Sequence, residues 1–181
     1  MKKIAVYCGS RSGHSSLYQE QAIEMGKVLA KNNIGLIYGG GAIGLMGCIA
    51  DTVLEHHGHV IGVIPTFLDT VEITHQGLSE LFVTNDMPDR KKKMYELADG
   101  FIALPGGIGT LEELFEVFTW RQLNLHNKPI GVLNTNGYYN YLIQHIAHMV
   151  TEGFLSKKHA QLIIIEDNPK TLLQNMYTLT Q

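Results

Sequence analysis

The chain has 181 residues, enough for one α/β domain with a substantial core. Its composition, 45% hydrophobic and 17% charged, excludes a disordered or low-complexity chain. The net charge of −3 is too mild for an electrostatic footprint on nucleic acid or an anionic membrane. In chain order, residues 4–8 form a short apolar run that reads as a buried strand ending in Gly9-Ser10. Ser16-Leu17-Tyr18-Gln19 matches a capping box, and Tyr18, Ala22, Met25 and Leu29 recur behind it at helical spacing. Residues 34–38 are a second strand running into Gly39-Gly40-Gly41, and a helix over 45–57 stops at Gly58. Residues 60–64 are a third strand closed by Pro65, and 66–77 has no period and reads as a loop. Strand 81–84, helix 87–98 and strand 101–104 lead to Pro105-Gly106-Gly107. Helix 111–125, strand 130–133, helix 138–150, strand 162–165 and helix 169–179 complete the chain.

Short, continuously apolar strands separated by helices imply a parallel sheet covered on both faces. The expected fold is α/β: a Rossmann-like, doubly wound parallel sheet, with residues 1–181 as a single nucleotide-binding domain. In such folds ligands bind beyond the carboxyl ends of the strands, so both glycine-rich loops belong on the ligand edge. Cys8 and Cys48 are the two cysteines and form no C-x-x-C, which suits reduced thiols in the cytosol. The apolar run after Lys2 and Lys3 is too short for a signal-peptide core, and no run approaches the roughly 18 apolar residues of a membrane span. A soluble, cytoplasmic protein is therefore expected.

Three motifs carry chemistry. In the first loop, Gly39, Gly41 and Gly44 satisfy G-x-G-x-x-G, a phosphate-approach pattern. A dinucleotide site also needs an acidic residue about 20 positions on. Residues 59–65 hold no carboxylate, so an NAD site is not expected. The second loop, Pro105-Gly106-Gly107-Ile108-Gly109-Thr110-Leu111-Glu112-Glu113, lacks the Gly-Lys-Ser/Thr of a P-loop but is a strand-to-helix glycine turn suited to phosphate. Thr110 and Glu113 also fit a T-x-x-E capping box, so Glu113 is either a cap or a catalytic carboxylate. The third motif is Met87-Pro88-Asp89-Arg90-Lys91-Lys92-Lys93-Met94. On a helix, Met87, Met94 and Ala98 form one apolar stripe. Arg90 and Lys91 flank that stripe and can reach a cleft, whereas Lys92 and Lys93 point to solvent. The histidines 56, 57, 59, 145 and 148 match no zinc spacing, so no metal site is expected. On helix 111–125, Leu111, Leu114, Phe115 and Phe118 form the main apolar face. Val117, Trp120 and Leu123 lie off it and suggest a second buried surface, such as a homodimer contact.

The M-x-x-R-K and P-G-G-x-G-T-x-x-E signatures resemble those of the LONELY GUY (LOG) family of cytokinin riboside 5'-monophosphate phosphoribohydrolases, long labelled lysine decarboxylases. The resemblance runs over nearly the whole chain. It implies a homodimeric Rossmann-like enzyme that hydrolyses the N-glycosidic bond of (N6-substituted) AMP, releasing an adenine-type base (a cytokinin) and ribose 5-phosphate. It implies Arg90 and Glu113 as the catalytic pair. It implies nucleotide contacts from Lys91, Gly107, Ile108, Gly109, Thr110, Leu111, Glu112 and Thr119, with Glu72 as an acidic substrate contact. The loop bearing Gly40, Gly41 and Gly44, with Ser10 nearby, resembles the family's phosphate-proximal region. No cofactor and no metal is implied, and no nucleic acid or membrane partner.

Residue chemistry agrees with that implication. Breaking C1'–N9 passes through an oxocarbenium-like state, which a carboxylate stabilises while it activates water. Arg90 is suited to hold the nucleotide and stabilise charge on the leaving purine rather than to donate a proton. The rival reading is a nucleotide- or cofactor-binding carrier of the same fold, which would need the phosphate loops but not the Arg90–Glu113 pair. A pyridoxal-phosphate decarboxylase would need a Schiff-base lysine and a partner for the pyridine nitrogen, and no such pair is identifiable.

Overall fold

The computed structural model describes residues 1–70 and 73–178. Among these residues seven parallel strands and seven α-helices follow in the order β1 (Lys3–Tyr7), α1 (Ser16–Lys31), β2 (Gly35–Tyr38), α2 (Gly44–Glu55), β3 (Val60–Pro65), β4 (Glu80–Thr84), α3 (Met87–Leu97), β5 (Gly100–Ala103), α4 (Ile108–Gln122), β6 (Ile130–Leu133), α5 (Asn140–Thr151), α6 (Lys157–Ala160), β7 (Ile163–Glu166) and α7 (Pro169–Thr178). The sheet order is β4-β3-β2-β1-β5-β6-β7. The chain first builds outward from β1 through β2, β3 and β4, then returns to the other side of β1 with β5. That reversal puts a topological switch point between β1 and β5, where a crevice opens at the strand ends.

The apolar runs form strands because both sheet faces are covered. Ile4, Val6, Leu36 and Tyr38 pack under α1, α2 and α7. Ala5, Tyr7, Ile37, Ile61, Val63 and Phe101 pack under α3, α4 and α5. The exception is edge strand β4, whose Leu81 and Val83 are exposed. Among the described residues, no helix is long and apolar enough to cross a membrane.

Local chemistry moves several expected boundaries. The cap of α1 is Ser15, whose Oγ accepts from Leu17 N, not the Ser16 box. Gln19 instead donates to Ser12 Oγ at 2.9 Å. The 66–77 loop contains a 3₁₀ turn at Thr66–Leu68 and a bridge from Thr74 to Gly41. A 3₁₀ turn at Thr135–Gly137 delays α5 to Asn140. The short α6, capped by Ser156, has no hydrophobic period to announce it. Lys93 does not simply point to solvent: its Nζ lies 4.4 Å from the centre of the Phe82 ring.

The largest shift is in α4. It begins at Ile108, with Gly107 as an N-cap that offers no side-chain bond. It ends at Gln122 rather than 125, where Asn124 turns the chain with φ +59°. Its fully buried positions are Thr110, Glu113, Leu114, Val117 and Phe118, spaced i, i+3, i+4, i+7, i+8. Val117 is thus core, while Leu111 and Phe115 are only partly buried. An apolar-only reading misplaces this face because two of its buried positions are polar.

Candidate active site

Three chain segments meet at the switch point. Gly9, just past β1, donates to Pro105 O at 3.0 Å, which clamps it to the second glycine loop. Gly9 O accepts from Leu45 N and Met46 N at 3.1 and 3.4 Å, which clamps it to α2. Gly44, at φ +64°, has no room for a side chain: a Cβ would overlap the Ser10 backbone. Gly44 therefore serves close packing, and Leu45 N and Met46 N of α2 are given to protein. The end of α4 differs. It has no capping side chain and no acidic residue in its first turn. Gly107 and Gly109 have no positive φ, and a methyl group on either would meet nothing within 4 Å. Protein packing does not explain these two glycines, whereas close approach of a ligand to free helix amides does.

Beside this helix end lies a cavity of about 580 Å³, within the range of small-molecule sites. Arg90 and Glu113 form its charged wall. Arg90 reaches in from α3, and Glu113 comes from the second turn of α4, which packs on β5 and β1. Arg90 Nη1 donates to Glu113 Oε1 at 2.8 Å, and Arg90 Nε donates to Val63 O at 3.0 Å. Both side chains are about nine-tenths buried. Glu113 is not a helix cap: α4 starts at Ile108, so Thr110 lies inside the first turn and the T-x-x-E box does not form.

The pair is only half used by the protein. Among the described residues Glu113 Oε2 and Arg90 Nη2 have no partner, and neither is one of the sealed unpartnered atoms there, which are Gln21 Oε1, Tyr38 Oη and Thr135 Oγ1. Both therefore open on the cavity. Arg90 Nη2 fits because residue 39 is glycine; a Cβ there would lie 2.5 Å from it. Burial pushes the Glu113 carboxyl up, and the Arg90 charge and hydrogen bond pull it back. A buried carboxylate held ionised by one guanidinium, with one oxygen free, can accept a proton from a bound water.

Ser10, Gly41, Gly107, Ile108, Gly109, Thr110 and Glu112 line the same cavity. Gly40, Gly44, Lys91, Leu111 and Thr119 lie outside its lining, and Glu72 lies outside the described residues. Lys91 Nζ is held by Glu112 Oε1 and, at 3.0 Å, by Glu116 Oε1. The bond from Glu112 is the main cause that raises the Lys91 pKa. Lys91 thus neutralises two acids at the rim. Sequence reasoning missed Tyr7, Met46, Leu68, Ile73 and Met87, which also line the cavity. Met87 had a signal in its apolar stripe. Leu68 and Ile73 had none, since they lie in an aperiodic segment that bonds from Ala42 N to Ile73 O and from His75 N to Gly40 O tie to the first glycine loop. No group of three metal-binding side chains occurs among the described residues.

An open parallel sheet with a ligand-sized cavity at its switch point defines a Rossmann-like α/β protein of the small-molecule-binding class. Solved structures share this fold. A molybdenum cofactor binding protein from Rippkaea orientalis superposes with a TM-score of 0.75 at 18% identity, covering 99% of this chain and 97% of that one. The Moco carrier protein from Chlamydomonas reinhardtii superposes with 0.74 at 20% identity, covering 98% and 96%. Residues 46–176 match the family model described as "Possible lysine decarboxylase". Cytokinin riboside 5'-monophosphate phosphoribohydrolase LOG7 of Arabidopsis thaliana is 49% identical over 177 residues, covering 97% of this chain and 81% of the relative. LOG1 of the same plant is 48% identical over 175 residues, covering 97% and 82%. The chain belongs to the LOG family of cytokinin riboside 5'-monophosphate phosphoribohydrolases.

Proposed function

We propose that this protein hydrolyses the C1'–N9 bond of an N6-substituted adenosine 5'-monophosphate, releasing the free base and ribose 5-phosphate. The buried Arg90–Glu113 pair carries the reading, because each member keeps one atom open to the cavity beside the uncapped end of α4. The curated relatives, named for this activity, supply the substrate class.

The 5'-phosphate sits at the α4 amides of Ile108 to Thr110, over Gly107 and Gly109. The base lies against the apolar side of the cavity, where Ile43, Met46, Leu68, Ile73 and Met87 suit an N6 alkyl group. Glu113 Oε2 takes a proton from water as the water oxygen bonds to C1'. The C1'–N9 electron pair leaves with the base, and Arg90 Nη2 stabilises the charge that develops there. Glu113 passes its proton to the departing base, directly or through solvent, which restores the carboxylate. The reaction uses no metal or organic cofactor. The whole chain acts as one catalytic domain, in the cytoplasm, without nucleic-acid or membrane partners. Two copies pair through the exposed Leu123 and Leu125 beyond α4, which are 61% and 63% accessible.

Incubation with AMP and with N6-isopentenyl-AMP, with free base quantified by chromatography, tests the reading. Base release by the wild type that is lost in Glu113→Gln and Arg90→Ala is the expected result. Tight nucleotide binding without base release would replace the hydrolase by a carrier.

A further inference from the structure

Tyr7 ends β1 and lines the cavity that holds Arg90 and Glu113. The residue is 4% accessible, and its ring stacks on Phe101 with centroids 6.1 Å apart. Among the described residues its hydroxyl makes no hydrogen bond, yet it is not one of the sealed unpartnered atoms. What little surface Tyr7 has therefore includes Oη, and Tyr7 lines the Arg90–Glu113 cavity. A buried hydroxyl with no partner costs stability unless something outside the chain satisfies it. Burial and the nearby Glu113 charge push its pKa well up, so the phenol stays neutral and keeps both its proton and its lone pairs.

We infer that Tyr7 Oη binds the water that attacks C1', accepting the hydrogen that Glu113 does not take. The inference rests on the proposed hydrolysis. An attacking water has two hydrogens and two lone pairs. One lone pair forms the bond to C1', and one hydrogen goes to Glu113 Oε2. The other hydrogen must be held to aim the first lone pair, because a water on one hydrogen bond rotates. Tyr7 and Glu113 line the same cavity, from β1 and α4, and each offers it one open oxygen. The step balances as before: water oxygen bonds to carbon, the base leaves with the C1'–N9 electrons, and Tyr7 gains and loses no proton.

The test is Tyr7→Phe, assayed for base release from N6-isopentenyl-AMP in buffer and in buffer containing methanol. The substitution removes one oxygen and no protein hydrogen bond, so the melting temperature stays that of the wild type. The expected loss is about 10- to 100-fold in kcat with KM little changed. The ratio of methyl riboside 5-phosphate to ribose 5-phosphate should rise, since methanol has no second hydrogen for Tyr7 and its methyl group suits phenylalanine. That ratio would not move if Tyr7 were merely structural. An unchanged kcat and ratio, a rise confined to KM, or a collapse in melting temperature each overturns the assignment while the hydrolase stands. A wild type that releases no base overturns both.

Discussion

Burial and Arg90 act in opposite senses on Glu113, and burial is the larger, so its carboxyl titrates above the ordinary 4.5. In the proposed hydrolysis Glu113 must be the carboxylate to take a proton from water. Activity should therefore fall as the pH drops through that raised value, sooner than for an exposed glutamate. The check is kcat at saturating substrate, which reports the bound state and not the free substrate's phosphate. Glu113→Gln should lower kcat by about 10²- to 10⁴-fold. The same shift has a stability sign. A raised folded-state value favours the protonated form, so Glu113 contributes most below 4.5 and its contribution declines as the pH rises through the folded value. The melting temperature of wild type minus that of Glu113→Gln should thus increase from about pH 7 to about pH 5.

Among the elements, α4 separates what sequence reveals from what it hides. The strand–helix alternation is legible because strands covered on both faces must be apolar throughout, and the glycine loops mark their ends. The Arg90 and Glu113 positions are legible as motifs. The start of α4 is not, because Gly107 caps it without a side chain and T-x-x-E imitates a cap. The aim of Tyr7 is not legible either, since in β1 it reads as one more core residue. The glycines divide in the same way, and substitution should expose it. Gly44→Ala forces a Cβ into the Ser10 backbone at positive φ and should destabilise by at least about 1–3 kcal/mol, read in denaturant melts. Gly107→Ala meets open space, so its fold should hold while KM for the nucleotide rises. Lys91→Ala should raise KM too, because it releases Glu112 and Glu116 beside an anionic substrate.

At the scale of the molecule, the sheet order brings residues 23 positions apart into one ion pair by laying β5 beside β1. The outer end of α4 faces away from that pair. Trp120 packs edge-on against Tyr95 at 5.0 Å, and Leu123 and Leu125 beyond it are bare. On the proposed pairing, the wild type should sediment as a dimer and a Leu123→Arg, Leu125→Arg variant as a monomer.

The helix that delivers Arg90 is lightly anchored. Met94 is the only fully buried residue within α3, whereas α4 has five. Helices held by so little apolar contact open before the rest of a protein does. In a urea titration, catalysis should vanish at a lower concentration than helical circular dichroism, and amides of α3 should exchange their hydrogens faster than those of α4. Cells under mild denaturing stress would then hold molecules that are still folded by most measures yet chemically silent, and that recover as soon as one helix settles back.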